Sequence, residues 1–151
     1  MTRAGGKDPA RAIARLSGSS MGALTMLIIQ FVLGTGVNLY ITPAKGGVGE
    51  AFSNGPLLAI HAVLGVLLLI AAVDLVVRSV LARHRALIVT SAIGLIAILG
   101  AAFNGIDFLK NQANGASMGM AVTTGVAMLC YAVSLRVLSS PGSRGGQPAR
   151  G

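Results

Sequence analysis

Charge is confined to short segments of this chain, and long uncharged stretches run between them. No Asp, Glu, Lys or Arg occurs from Leu16 to Ala44, from Ala51 to Val73, from Ala86 to Ile106, or from Asn111 to Leu135. A helix rises about 1.5 Å per residue, so about 20 apolar residues cross a hydrocarbon core of about 30 Å. All four stretches reach that length. Lipid offers no partners to backbone N–H and C=O groups, so each stretch is expected to be helical across the core. The spacing predicts spans near 20–40, 56–78, 86–107 and 116–138 within a domain covering 19–138. Short connections join antiparallel neighbours, which makes the expected fold an all-α, four-helix up-down transmembrane bundle. The first uncharged run far exceeds the 7–15-residue apolar region of a signal peptide and is read as a retained span.

Composition supports this reading. Hydrophobic residues make up 54% and charged residues 11% of the chain, whereas a soluble domain carries about 25% charged residues. The net charge of +8 could suggest a nucleic-acid binder, but the basic residues lie at span ends and not on a polar element, so no nucleic-acid partner is expected. The N-terminal segment holds Arg3, Lys7, Arg11 and Arg15. The second connection holds Arg78, Arg83 and Arg85, and the C-terminal end holds Arg136, Arg144 and Arg150. The other two connections hold only Lys45 and Lys110. The positive-inside rule then places both termini in the cytoplasm of a multi-pass plasma-membrane protein. Arg78, Arg83, Arg85 and Arg136 are expected to meet lipid headgroups, with Asp74 and Arg78 paired at i, i+4. Segments 1–18 and 139–151 are rich in Gly, Arg, Ser and Pro and are expected to be disordered cytoplasmic tails.

Helices in lipid associate through close approach, so small residues at helical spacing mark contact faces. Such stripes occur at Gln30, Gly34 and Asn38; at His61, Gly65 and Ala72; at Thr90, Gly94, Ala97, Ala101, Asn104 and Phe108; and at Gly115 and Gly119, beside Ser117, Ala121 and Gly125. The same pattern would serve a homo-oligomer or a membrane-protein partner.

Polar side chains within a span are costly and mark candidate sites. His61 lies five residues past Pro56, about 7–8 Å inside the outer boundary. Asn38 ends the first span at that level, Asn104 and Asp107 end the third, and Met118 and Met120 open the fourth. Gln30 sits nearer mid-membrane. The outer third of the bundle is thus expected to be polar inside and the cytoplasmic half nearly dry. The plainest reading has His61, Asn38 and Asn104 hydrogen-bonded to one another. The sharper one makes the cluster a ligand, quinone, proton-relay or haem site, with His61 and Met118 or Met120 as axial ligands. The bis-histidine form of haem site lacks its second residue, because His84 lies in the basic turn on the opposite side. The single cysteine, Cys130, excludes an internal disulfide and a cysteine metal cluster. No catalytic group and no metal site is expected.

The strings IIQFVLGTGVNLYITP, IHAVLGVLLL and LGAAFNGIDFL resemble those of uncharacterised small four-span membrane proteins of high-GC Gram-positive bacteria, over about residues 20–138. That resemblance implies the four-span fold and a bacterial inner-membrane setting, and it carries no activity. The expected role is a non-enzymatic accessory or structural component of a membrane complex. Its competitor is a small haem-binding redox protein, or a transport or proton-relay protein, built on the His61 cluster.

Overall fold

The computed structural model describes residues 9–40, 55–111 and 114–140. These form four helices: α1 (Pro9–Tyr40), α2 (Pro56–Leu81), α3 (Arg85–Asn111) and α4 (Asn114–Ser139). All four are long and apolar enough to cross a membrane. Each packs along its neighbours in sequence, and α4 returns to α1 to close the ring; the α3–α4 pairing is the most extensive. The protein is therefore a four-helix membrane-spanning bundle, as the uncharged runs imply.

One pattern explains why the four helices close. Leu16, Ser20, Ala23, Leu27, Gln30, Gly34 and Val37 alternate steps of four and three along α1. Leu58, His61, Gly65, Leu68, Ala72, Leu75 and Ser79 do the same along α2. In α3, Leu87, Ser91, Gly94, Ile98, Ala101 and Gly105 follow suit, as do Thr124, Ala127, Tyr131, Ser134 and Leu138 in α4. A 3.5-residue repeat keeps one narrow seam facing the partners along the whole helix, provided that the helices supercoil left-handedly. Most of these seam residues are buried. The opposite faces expose Ile28, Val32, Val63, Ile70, Ile96, Phe103 and Leu129 among others, as an apolar solvent requires.

The tight turn between α2 and α3 has a specific cause. The His84 N–H donates to the Ser79 carbonyl at 3.4 Å and the Arg83 N–H to the Val80 carbonyl at 3.0 Å. These two bonds make a Schellman cap, whose left-handed residue is usually glycine. Here it is Arg83, with φ 53°, a conformation that costs an L-residue about 1 kcal/mol. The expected pairing of Asp74 with Arg78 is present, with 2.5 Å between carboxylate oxygen and guanidinium nitrogen.

Three expectations need revision or fall outside the described residues. Residues 9–18 are helical and extend α1 by ten residues beyond the predicted disordered tail. Ala, Arg and Leu are strong helix formers, Pro9 suits a first turn, and Leu16 is buried while Ile13 packs against the same core. Residues 1–8 and the expected tail from 141 onward lie outside the described residues. The half of the bundle holding the 82–84 turn, hereafter the turn end, is not free of buried polar side chains. Ser20, Ser79, Ser91 and Ser134, one from each helix, are each about 1% exposed. Ser79, Ser91 and Ser134 return their hydroxyls to the carbonyls of Leu75, Leu87 and Cys130 at 2.8, 2.6 and 2.9 Å. A serine that satisfies itself this way packs like an alanine.

Candidate functional site

The two ends of the bundle differ in how the seam is filled. At the turn end, Leu27, Ala72, Leu75, Ala97, Ile98, Ala127 and Tyr131 belong to one continuous core. Toward the other end, which starts at Tyr40 and Pro56, Val37 and Leu58 are buried in a small second cluster, and the seam between holds Gln30, Gly34, His61, Gly65, Ala101 and Gly105. These side chains are too small or too few to meet across the axis. A cavity of about 510 Å³ remains, with all four helices contributing to its wall. It runs from Leu27, Leu68 and Ile98 at the floor to Asn38, Leu58 and Leu109 near the mouth. Eleven residues separate Leu27 from Asn38, so the cavity is about 16 Å deep.

Two side chains give this apolar wall its chemistry. The Gln30 Nε2 donates to the His61 backbone carbonyl at 2.8 Å, tying α1 to α2 across the cavity wall. A carbonyl can only accept, so the amide nitrogen must lie on that side and Oε1 on the other. Gln30 Oε1 is buried and has no hydrogen-bond partner, and the same holds for His61 Nδ1. Two glycines make the crossing possible. A Cβ on Gly65 would lie 2.9 Å from Gln30 Nε2, and one on Gly34 would lie 3.0 Å from His61 Cε1. Either addition would push the polar group off its present position.

The remaining sequence candidates divide. Asn38 lines the cavity but is exposed near the mouth. Asn104 does not line it. Its Nδ2 donates to the Gly100 carbonyl at 2.8 Å within α3, and its amide packs against Gly119 of α4. The expected His61–Asn38–Asn104 network is not formed: His61 and Asn38 both line the cavity, Asn104 bonds within its own helix, and the interhelical bond comes from Gln30. Met120 lines the cavity with His61, whereas Met118 is 72% exposed and does not. Of the two sulfur candidates for an axial ligand, only Met120 shares the space. No group of three or more His, Cys, Asp or Glu gathers among the described residues. Asp107 accepts a hydrogen bond from Asn111. Arg78, Arg83, Arg85 and Arg136 are all exposed and gather at the turn end, where headgroups would meet them.

Sequence reasoning missed Tyr131, which is 0% exposed, has its ring over Gly94, and holds a hydroxyl with no partner. The signal was the seam repeat, in which Tyr131 falls between Ala127 and Ser134. It also missed the Thr90–Ser134 hydroxyl pair, 2.7 Å apart, which joins α3 to α4. Comparison with known proteins returns no matching family model, no matching curated protein and no matching solved structure.

Proposed function

We propose that this chain is a non-enzymatic multi-pass protein of a bacterial cell membrane whose bundle holds a small lipophilic molecule. The observation carrying the reading is the cavity itself. A bundle with a continuous core at one end keeps about 510 Å³ open at the other, walled by apolar side chains with His61 and Gln30 among them. That volume, wall composition and placement between bundle helices are those of small-molecule sites. With the basic turn and both termini in the cytoplasm, the cavity lies in the outer leaflet half and faces molecules that partition there.

The test is titration of the full-length protein in nanodiscs with an environment-sensitive lipophilic fluorophore. Saturable binding is expected, and Ala101→Phe, which fills the wall, should weaken it about tenfold or more without lowering the unfolding midpoint. Partitioning that never saturates and matches empty nanodiscs would remove the reading.

A second reading, an accessory subunit of a membrane complex, is favoured by Gly18 and Gly22. They lie four apart on the exposed face of α1, and nothing stands within 4 Å of a Cβ on either. A second helix could approach closely there, as at other small-xxx-small faces. The same preparation decides it: a stoichiometric second chain retained in mild detergent supports the accessory role, and its absence counts against it.

A further inference from the structure

Resting on the ligand reading of the cavity, we propose that its occupant is one acyl chain of a two-chain bilayer lipid. The chain enters sideways between helices, while the headgroup and the second chain stay in the membrane. Where the cavity opens is the first reason. On α2, Val63, Val66, Ile70, Val73 and Val77 follow steps of three and four and are all exposed; on α3, Ile96, Leu99, Phe103 and Ile106 do the same. These are the faces that a bilayer touches. Val66 and Ile106 belong to those stripes and also line the cavity, so the space inside the bundle continues out to the lipid-facing surface between α2 and α3. Across the bundle, Phe31 of α1 and Ala121 of α4 are exposed lining residues as well. A cavity with open flanks meets hydrocarbon chains along its length, and not only solvent at its mouth.

Depth and wall then select the chain. About 16 Å separates floor from mouth, roughly half of a hydrocarbon core of about 30 Å, which is the depth that one leaflet's chains fill. Deep in the cavity the polar groups are already committed. The Thr124 hydroxyl donates to the Met120 carbonyl at 2.8 Å, the Thr35 hydroxyl to the Phe31 carbonyl at 2.9 Å, and the Gln30 amide to the His61 carbonyl at 2.8 Å. Gln30 Oε1 and His61 Nδ1 are buried and offer an occupant no surface. Beside them stand Leu27, Leu68, Leu69, Ile98 and Ala101. A polar group carried to this depth would surrender its hydrogen bonds without replacement, whereas a hydrocarbon chain has none to lose. Exposed Asn38 lines the mouth end, where the lipid's ester and headgroup atoms remain. Apolar cavities stay dry, and an unfilled one forfeits the dispersion contacts of its lining. Lipid chains are the apolar matter at hand on both flanks.

The experiment places the full-length protein in phosphatidylglycerol nanodiscs doped with the same lipid carrying a diazirine midway along one chain. Ultraviolet light fixes that carbon to the side chain it touches, and peptide mass spectrometry maps the adducts. Adducts are expected on the cavity residues Leu69, Ala101 and Thr124, as well as on Val63 and Phe103, which face lipid in any case. Ala101→Phe fills the cavity and should lose the interior adducts while keeping those on Val63 and Phe103. Adducts confined to outward residues of the wild type would overturn the inference. If the lipophilic fluorophore still binds saturably, the ligand reading then stands alone; if it does not, both fall. Interior adducts from a free fatty acid bearing the same diazirine, with none from the phospholipid, would overturn the assignment to a two-chain lipid. Interior adducts that persist unchanged in Ala101→Phe would also overturn it, because they would come from chains that do not occupy the cavity. The wild-type map is decisive even if the variant fails to fold.

Discussion

The two ends of this bundle use the same seam geometry with different residues, and the contrast shows what seam size controls. Near the turn end, the seam holds leucine, alanine, serine and the Tyr131 ring, and the four helices share one core. Toward Pro56, Val37 and Leu58 form a small second cluster, but the positions between hold glycine, alanine, glutamine and histidine, and a cavity of about 510 Å³ opens. The lipid-facing surfaces do not change in kind between the halves, since Ile70 and Val73 near one end and Val63 near the other are all exposed. Lipid supplies no hydrophobic force pressing helices together, so packing alone decides whether the seam is filled.

The largest effect that could break this contrast is a paired ring deletion. Tyr131→Ala removes a fully buried ring and is expected to cost about 2–3 kcal/mol of unfolding free energy. Phe108→Ala, on the cavity wall and outside the buried clusters, should cost about 1 kcal/mol or less, because its ring already borders open space. Unfolding in mixed micelles measures both. Equal costs would mean that the cavity closes in the bilayer and the two halves pack alike.

An intermediate effect comes from two glycines on α3. A Cβ at Gly94 would meet the Tyr131 ring at 3.0–3.3 Å, whereas one at Gly105 would meet only Met120 Sδ, at 3.6 Å. Alanine gains about 0.5–1 kcal/mol over glycine in a helix interior. Gly105→Ala should therefore stabilise slightly, while Gly94→Ala should destabilise by about 1 kcal/mol net as the ring is displaced. The same unfolding measurement checks the sign of each. The smallest effect concerns the turn end alone. Thr90→Val removes the hydroxyl that meets Ser134 at 2.7 Å and should cost about 0.6 kcal/mol, the usual worth of such bonds between membrane helices. A loss several times larger would show that the buried hydroxyls act as a network and not as separate pairs.

Much of the fold is legible in the order of residues. The uncharged runs locate α2, α3 and α4 to within a few residues. The i, i+4 spacing of Asp74 and Arg78 identifies a pair that forms. Small-residue stripes at Gly34, Gly65, Gly94 and Gly119 mark real contact positions, each with a neighbour's side chain against it, whereas a Cβ at Gly115 or Gly125 would meet nothing within 4 Å. The helical extension to Pro9 was missed because Gly, Arg and Ala in the first 18 residues resemble a tail, yet Leu16 and Ile13 continue the seam. The candidate site was only half legible. Depth along a span follows from counting, which is why His61, Asn38 and Asn104 are expected near the same level. Rotation about the helix axis decides who meets whom, and it left His61 and Asn38 on the cavity wall but turned Asn104 away from it.

The sequence by itself determined that four helices cross an apolar medium, and it sets a 3.5-residue seam on each. Both follow from local arithmetic: rise per residue, backbone hydrogen bonding within the helix, and the exclusion of charge from hydrocarbon. Only the tertiary structure decided which seam residues face across the axis and whether they fill it. Gln30 reaches the His61 carbonyl where Gly65 leaves room for its amide, and Asn104 bonds to Gly100 with Gly119 leaving room for its amide. The cavity is a sum of side-chain volumes over four helices at once, and no single span contains that sum.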